Sequence, residues 1–200
     1  MLALTLADGF AALNRGDLAT AGEACKQALE KDQTQVPAHF LVGLVALEGQ
    51  QRQVAHKAFK SVVKLDHNHA AAWAHLAKLN VGEGRIAAAE SALNEVRRIQ
   101  PNDPVVIELT GTVLNSLGEY EAAERFFERA HQMLPNNSSA LMNLGNVRVF
   151  LGKIDDAVAL FKRAISLEPS NAQCHWGLAN SERAGSDDHV IQMQALIQSG

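Results

Sequence analysis

Alanine recurs at one fixed step of thirty-four residues: Ala21, Ala55, Ala89, Ala123 and Ala157. The same step runs through Gly9, Gly43, Gly111 and Gly145, with Ala77 in the open slot, through Pro101, Pro135 and Pro169, and through Phe59, Phe127 and Phe161. A constant period of this length belongs to stacked-repeat architectures, in which each unit touches only its neighbours. Two hundred residues would ordinarily suggest one or two compact domains. The period predicts instead five full units and part of a sixth, forming a single array over 1–200. Proteins built this way work as surfaces more than as reaction vessels.

Within each unit the apolar residues follow helical spacing twice, with a break between. In the fourth unit Ile107, Thr110, Gly111 and Leu114 share one helical face; Gly118 follows, and Tyr120, Ala123, Phe127 and Ala130 stripe a second helix that closes at Pro135. The fifth unit repeats this with Leu141, Leu144 and Gly145, then Gly152, then Ala157, Phe161, Ala164 and Pro169. Gly16, Gly84, Gly118 and Gly152 supply the permissive backbone of the turn inside each pair. The closing prolines stop the second helix, because proline lacks an amide hydrogen and disfavours helix in the residue before it. Asp103-Pro104 reads as a capped helix start, and Ser138 and Asn171 offer caps for the next two units. Gly111 with Ala123, and Gly145 with Ala157, are expected where the two helices of a pair cross. The phenylalanines are then knobs directed toward the neighbouring unit.

The pattern Ile107…Thr110-Gly111…Leu114…Ala123…Phe127…Ala130…Pro135 resembles the tetratricopeptide repeat, as do the fifth and third units, the latter with Trp73 at the family's usual tryptophan position. The resemblance covers about 2–35, 36–69, 70–103, 104–137 and 138–171, with a partial repeat and capping helices over 172–198. It implies an all-α fold, a right-handed α-solenoid of antiparallel helix pairs, whose first helices line a concave groove that takes the ligand. The departures fall toward the ends: Asp8 replaces the leucine of Leu76, Leu144 and Leu178; Gln33 and His67 replace the closing proline; and Gln50 stands at the turn glycine, with Gly49 one residue earlier. The sixth unit breaks at Ala184-Gly185-Ser186-Asp187-Asp188, and a terminal capping helix is expected at about 188–198.

Several function classes fall away on composition. Net charge is −4 with no basic run beyond Arg97-Arg98, so the counterion-displacing face that nucleic acid demands is missing. Cys25 and Cys174 are far apart and make neither a disulfide framework nor a zinc site; Cys25 falls in the register of Phe59, Leu93, Phe127 and Phe161 and reads as a small buried hydrophobe. Met1–Asp8 carries no positive charge and no apolar run approaches transmembrane length, so no signal peptide and no membrane partner are expected and a cytoplasmic location is the default. Eight histidines include His67 and His69 in a turn near His75, yet no spacing secures three or four converging ligands, and no metal or cofactor is expected. No phosphate loop, nucleophile elbow or constrained histidine–carboxylate pair indicates an enzyme; Asp155-Asp156 and Asp187-Asp188 suit helix N-termini.

Under the resemblance, the groove residues are those on first helices that the packing stripe leaves unused. They begin with Leu6, Phe10 and Leu13, then Phe40, Leu41, Leu44 and Leu47, then His75 and Lys78. They continue with Glu108, Thr112 and Asn115, then Met142, Asn143 and Asn146, then Trp176, Asn180 and Arg183. The first third is apolar and suits an amphipathic or extended apolar segment, or else a seam between helices or dimer partners. The last third is rich in amides, which both donate and accept; Asn143, Asn146 and Asn180 resemble the asparagine ladder of tetratricopeptide arrays that grip extended polypeptides.

Two functions follow as expectations. One is a non-catalytic scaffold, monomeric or homodimeric, that binds a peptide or partner protein in the groove. The other is an N-terminal regulatory or substrate-recruiting arm of a larger bacterial enzyme, because His175-Trp-Gly-Leu-Ala-Asn and the following residues to Leu196 are similar to the junction preceding a sulfotransferase domain. The nucleotide-sulfate binding loop of such an enzyme is absent from these residues.

Overall fold

The computed structural model describes residues 4–182 and Ala195. Arg183, the break at 184–188 and the capping helix expected at 188–198 lie outside the described residues. Eleven helices and no strand are found among the described residues, and the chain divides into two compact units, Met1–Pro101 and Asn102–Gly200.

The first unit holds α1 (Leu6–Asn14), α2 (Leu18–Lys31), α3 (Val36–Glu48), α4 (Arg52–Leu65), α5 (Ala70–Gly82) and α6 (Ile86–Ile99). The second holds α7 (Pro104–Ser116), α8 (Tyr120–Met133), α9 (Ser138–Phe150), α10 (Ile154–Leu167) and α11 (Ala172–Ser181). Within each unit consecutive helices pack as hairpin pairs, and each pair packs on the next through its second helix. This is a helical solenoid architecture.

The turn inside each pair is set by one left-handed residue: Gly16, Gly84, Gly118 and Gly152 have φ between 70° and 79°. In the second pair the left-handed residue is Gln50, at φ 57°, and Gly49 stays in ordinary backbone at φ −77°. The thirty-four-residue frame therefore holds even where its glycine is missing, at a steric cost for a residue with a Cβ. Second helices α6, α8 and α10 end within two residues of Pro101, Pro135 and Pro169. Asp103 and Asn171 cap α7 and α11 through their side chains. The cap of α9 is Asn137, whose Oδ1 accepts from the Ala140 amide at 2.9 Å. Ser138 is instead the first helical residue, and its hydroxyl donates to Glu168.

The glycine and phenylalanine series meet each other. A Cβ placed on Gly43 would lie 2.5 Å from the ring of Phe59; on Gly111, 2.7 Å from Phe127; on Gly145, 2.8 Å from Phe161. Each glycine thus makes room for the phenylalanine of its own pair, while Ala55, Ala123 and Ala157 are fully buried. Phe161 also reaches the next pair, 2.8 Å from where a Cβ of Gly177 would stand. In the first pair Cys25 holds the phenylalanine slot, and the Cδ2 of Leu41, from the next pair, closes over Gly9 instead.

A second series ties the pairs. His39, Trp73 and His175 share one register, and each ring nitrogen reaches the carbonyl six residues upstream: Nε2 of His39 to Gln33 at 2.8 Å, Nε1 of Trp73 to His67 at 2.8 Å, Nε2 of His175 to Pro169 at 2.9 Å. Those carbonyls belong to the closing position of the preceding repeat, so the ring bond fixes how one pair follows another. Ile107 and Leu141 fill the same register with buried aliphatics.

Candidate functional site

First helices present two registers that the sequence groups together and the structure separates. Residues 10, 44, 78, 112, 146 and 180 are spaced by thirty-four: Phe10 and Leu44 are half-buried, Lys78, Thr112 and Asn180 exposed, Asn146 half-buried. Residues 41, 75, 109, 143 and 177 form the other. Leu41 is fully buried, the ring of His75 stacks on Phe59 with centroids 4.7 Å apart, and Gly177 lies against Phe161. Leu41 and His75 therefore belong to packing between pairs, and Asn143, half-buried, occupies their register.

In the first unit Phe40 joins a ring cluster, with its centroid 4.6 Å from His69, 5.6 Å from Phe59 and 5.9 Å from His75. Leu6, Phe10, Leu13, Phe40, Leu44 and Leu47 are all half-buried, so this face is already partly covered by its own neighbours. Burial of His75, with Lys78 and His69 adding like charge, holds its pKa down at about 4; its Nδ1 is buried without a partner. His69 spends its Nδ1 on the cap of α5, accepting from the Ala72 amide at 3.2 Å.

The second unit is different in kind. Trp176 is 66% exposed, the one large apolar residue of the anticipated groove set that is open to solvent among the described residues. Asn180 lies one turn further along α11, and Asn146 occupies the equivalent position of α9. The side-chain amides of Asn143, Asn146 and Asn180 make no hydrogen bond among the described residues, which leaves donor and acceptor available to a ligand. Glu108 is half-buried with one carboxylate oxygen unpartnered, and burial raises its pKa. The hydroxyl of Thr112 is spent on the Glu108 carbonyl at 3.0 Å, and Asn115 keeps a buried, unpartnered Oδ1. Met142 packs against the two core clusters around Leu141 and Phe161 and is a core residue as much as a face residue.

One feature escaped the sequence. Arg148 stands in the register of Ala12, Ala46 and Leu114, buried aliphatics, and of Asn80, a buried polar residue. Its Nε donates to Glu124 at 3.1 Å and its Nη2 to Glu128 at 2.8 Å, while Lys153 reaches Glu124 at 2.7 Å. Burial opposes the charge on Glu124, but the Lys153 and Arg148 hydrogen bonds outweigh it and the carboxyl sits below its ordinary value. An arginine in a register that is uncharged at the four preceding positions, Ala12, Ala46, Asn80 and Leu114, was the signal that could have shown it.

Both cysteines are buried, and burial pushes each thiol up to about 11, so neither offers a thiolate near neutrality. Among the described residues no group of three or more His, Cys, Asp or Glu is placed to hold a metal ion, and no helix is long and apolar enough to cross a membrane.

Against known proteins, the family model described as tetratricopeptide repeat matches residues 46–111 and 114–180. The chain belongs to the tetratricopeptide repeat family. No curated protein sequence matches it significantly. Among solved structures, MamA is 25% identical, with 82% of this chain and 96% of that chain covered at a TM-score of 0.63. A thermophilic TPR protein from Thermus thermophilus, TTC0263, is 20% identical over 86% and 94% at 0.68. YrrB, described as a TPR protein with an unusual peptide-binding site, is 16% identical over 88% and 91% at 0.67. Membership supports a protein-interaction role.

Proposed function

We propose that this chain is a non-catalytic scaffold that binds an extended peptide segment of a partner protein on the first-helix face of its second unit. The observation that carries the reading is the set of unsatisfied amides, Asn143, Asn146 and Asn180, beside the exposed indole of Trp176. Amides pair with a peptide backbone whatever its side chains, and an exposed indole supplies apolar contact with a polar tip. Asn146 and Asn180 are the stronger pair, since they share the more open register. The peptide-binding site described for YrrB, a protein of the same fold, supports the reading. In the first unit, half-buried Phe10, Phe40 and Leu44 and exposed Lys78 offer a contact of their own.

The test is affinity capture followed by mass spectrometry with the wild type and with Asn146→Ala/Asn180→Ala/Trp176→Ala. Partners lost from the triple variant, with its helix content unchanged, support the face; identical partner lists would remove it. A second reading, an arm of a larger enzyme such as a sulfotransferase, rests on the tail resemblance alone. Reading the gene beyond Gly200 tests it, and a stop codon directly after that residue would sink it.

A further inference from the structure

Among α8, α9 and α10 of the second unit the surface opens into a pocket of about 440 Å³. None of Asn143, Asn146, Trp176 or Asn180 lines it, so it is separate from the face described above. Its base is apolar: Leu141 is 1% exposed, and Leu160 packs on the cluster of Leu141, Ala164 and Cys174. Around this base stand His131, Arg148, Asp156 and Arg163.

The charges are not equivalent. Arg148 is committed to Glu124 and Glu128. Arg163 is exposed and forms no ion pair among the described residues; its Nη2 donates to Asn136 Oδ1 at 3.0 Å, a neutral partner that holds the guanidinium at the pocket without satisfying its charge. Four of its five N–H donors remain, arranged to take a carboxylate in bidentate fashion. Asp156 lies seven residues earlier on α10, about 10 Å along the axis, in the first turn where the helix dipole favours its charge. The two ends of the pocket thus differ in sign. On its wall the Nδ1 of His131 is buried without a partner.

A volume of this size is at the small end of ligand sites and suits one apolar side chain with its backbone. A single residue that brings both an apolar side chain and a carboxylate on the same Cα is the last residue of a chain. We infer that this pocket takes the apolar C-terminal residue of a partner peptide, with its carboxylate on Arg163 and its side chain on Leu141 and Leu160. Asp156 then disfavours an acidic residue immediately upstream.

The experiment is fluorescence polarisation of the full chain with fluorescein-labelled Ser-Gly-Ser-Gly-Ala-Leu as free acid and as C-terminal amide, with N-acetyl-leucine as competitor. The free acid should bind saturably, and amidation should weaken it at least tenfold. Arg163→Gln should cause the same loss, as should Ala159→Tyr, which fills the pocket from an exposed position; both are accepted only with unchanged circular dichroism. Asn180→Ala/Trp176→Ala should leave this binding unchanged, which separates it from the first-helix face. Equal binding of acid and amide, indifference to Arg163→Gln, or no saturable binding to millimolar peptide would overturn the assignment. Competition by N-acetyl-leucine at the peptide's own affinity would overturn it too, by assigning the pocket to a small apolar acid.

Discussion

The imidazole of His75 lies flat on the ring of Phe59, centroids 4.7 Å apart and planes inclined by 4°. His75 belongs to the first helix of one pair and Phe59 to the second helix of the pair before it, so the stack is a joint between repeats. The same joint is filled differently elsewhere. Cys25, small, goes with Leu41, large; Phe161, large, goes with Gly177, small. At these two joints the registers trade volume, whereas at the joint of Phe59 and His75 both places hold rings, stacked face to face.

This joint makes stability sensitive to acid. The folded pKa of His75, about 4, is below the ordinary 6.5, so the unfolded chain binds the proton more readily. The contribution is complete above pH 6.5 and declines as pH falls toward 4, by up to about 3 kcal/mol for a shift of this size. His75→Leu, the residue found at 41 and 109, should lessen the fall. Urea denaturation at pH 7 and pH 5 should show a smaller loss for the variant than for wild type; parallel losses would mean that His75 is solvated.

Gly111→Ala should destabilise by roughly 1–3 kcal/mol, because the new methyl meets the Phe127 ring where no real Cβ fits. Phe127→Leu creates space there and should make Gly111→Ala less costly in its background. A double-mutant cycle checks this, and additive losses would contradict the wedge.

Gln50→Gly should raise the melting temperature, since the left-handed backbone at φ 57° costs a residue with a Cβ about 1 kcal/mol more than it costs glycine. Gly49→Ala, at φ −77°, should be close to neutral. A loss at Gln50→Gly with a comparable loss at Gly49→Ala would place the turn one residue off.

Most of the architecture was legible because it is periodic. Ala123, Gly111 and Pro135 each repeat at one shared step, and the turn glycines and closing prolines stand where that step predicts. The face was legible only in part. A helical wheel places Leu41 and Asn146 on the same side of their helices, yet their registers differ by three residues, and that rotation carries one into a joint and the other toward solvent. Only the partner helix decides this, and its approach is a tertiary fact. His39 and His175 look like surface histidines in sequence, and their bonds to the Gln33 and Pro169 carbonyls depend on the turn between repeats.

Arg148→Leu, restoring the register of Leu114, should destabilise by about 1–3 kcal/mol because Glu124, 8% exposed, keeps its charge and loses a partner. Adding Glu124→Val, after Val158 in the same register, should recover most of that loss. The Glu124 contribution in wild type is present above its ordinary value of 4.5 and fades as pH falls through its lowered folded pKa. Chemical denaturation of the two variants decides the matter; a double variant no better than the single one would show that the pair is not the coupling.

The central claim is that a partner peptide lies on the first-helix face of the second unit. A photo-crosslinking residue in place of Trp176 tests it most directly, with the same residue at exposed Val54 on α4 as control and adducts mapped by mass spectrometry. The account predicts one dominant partner segment joined at 176, little at 54, and loss of the adduct on adding Asn146→Ala/Asn180→Ala. Equal adducts at both positions, or an adduct at 176 indifferent to the two asparagines, would contradict it.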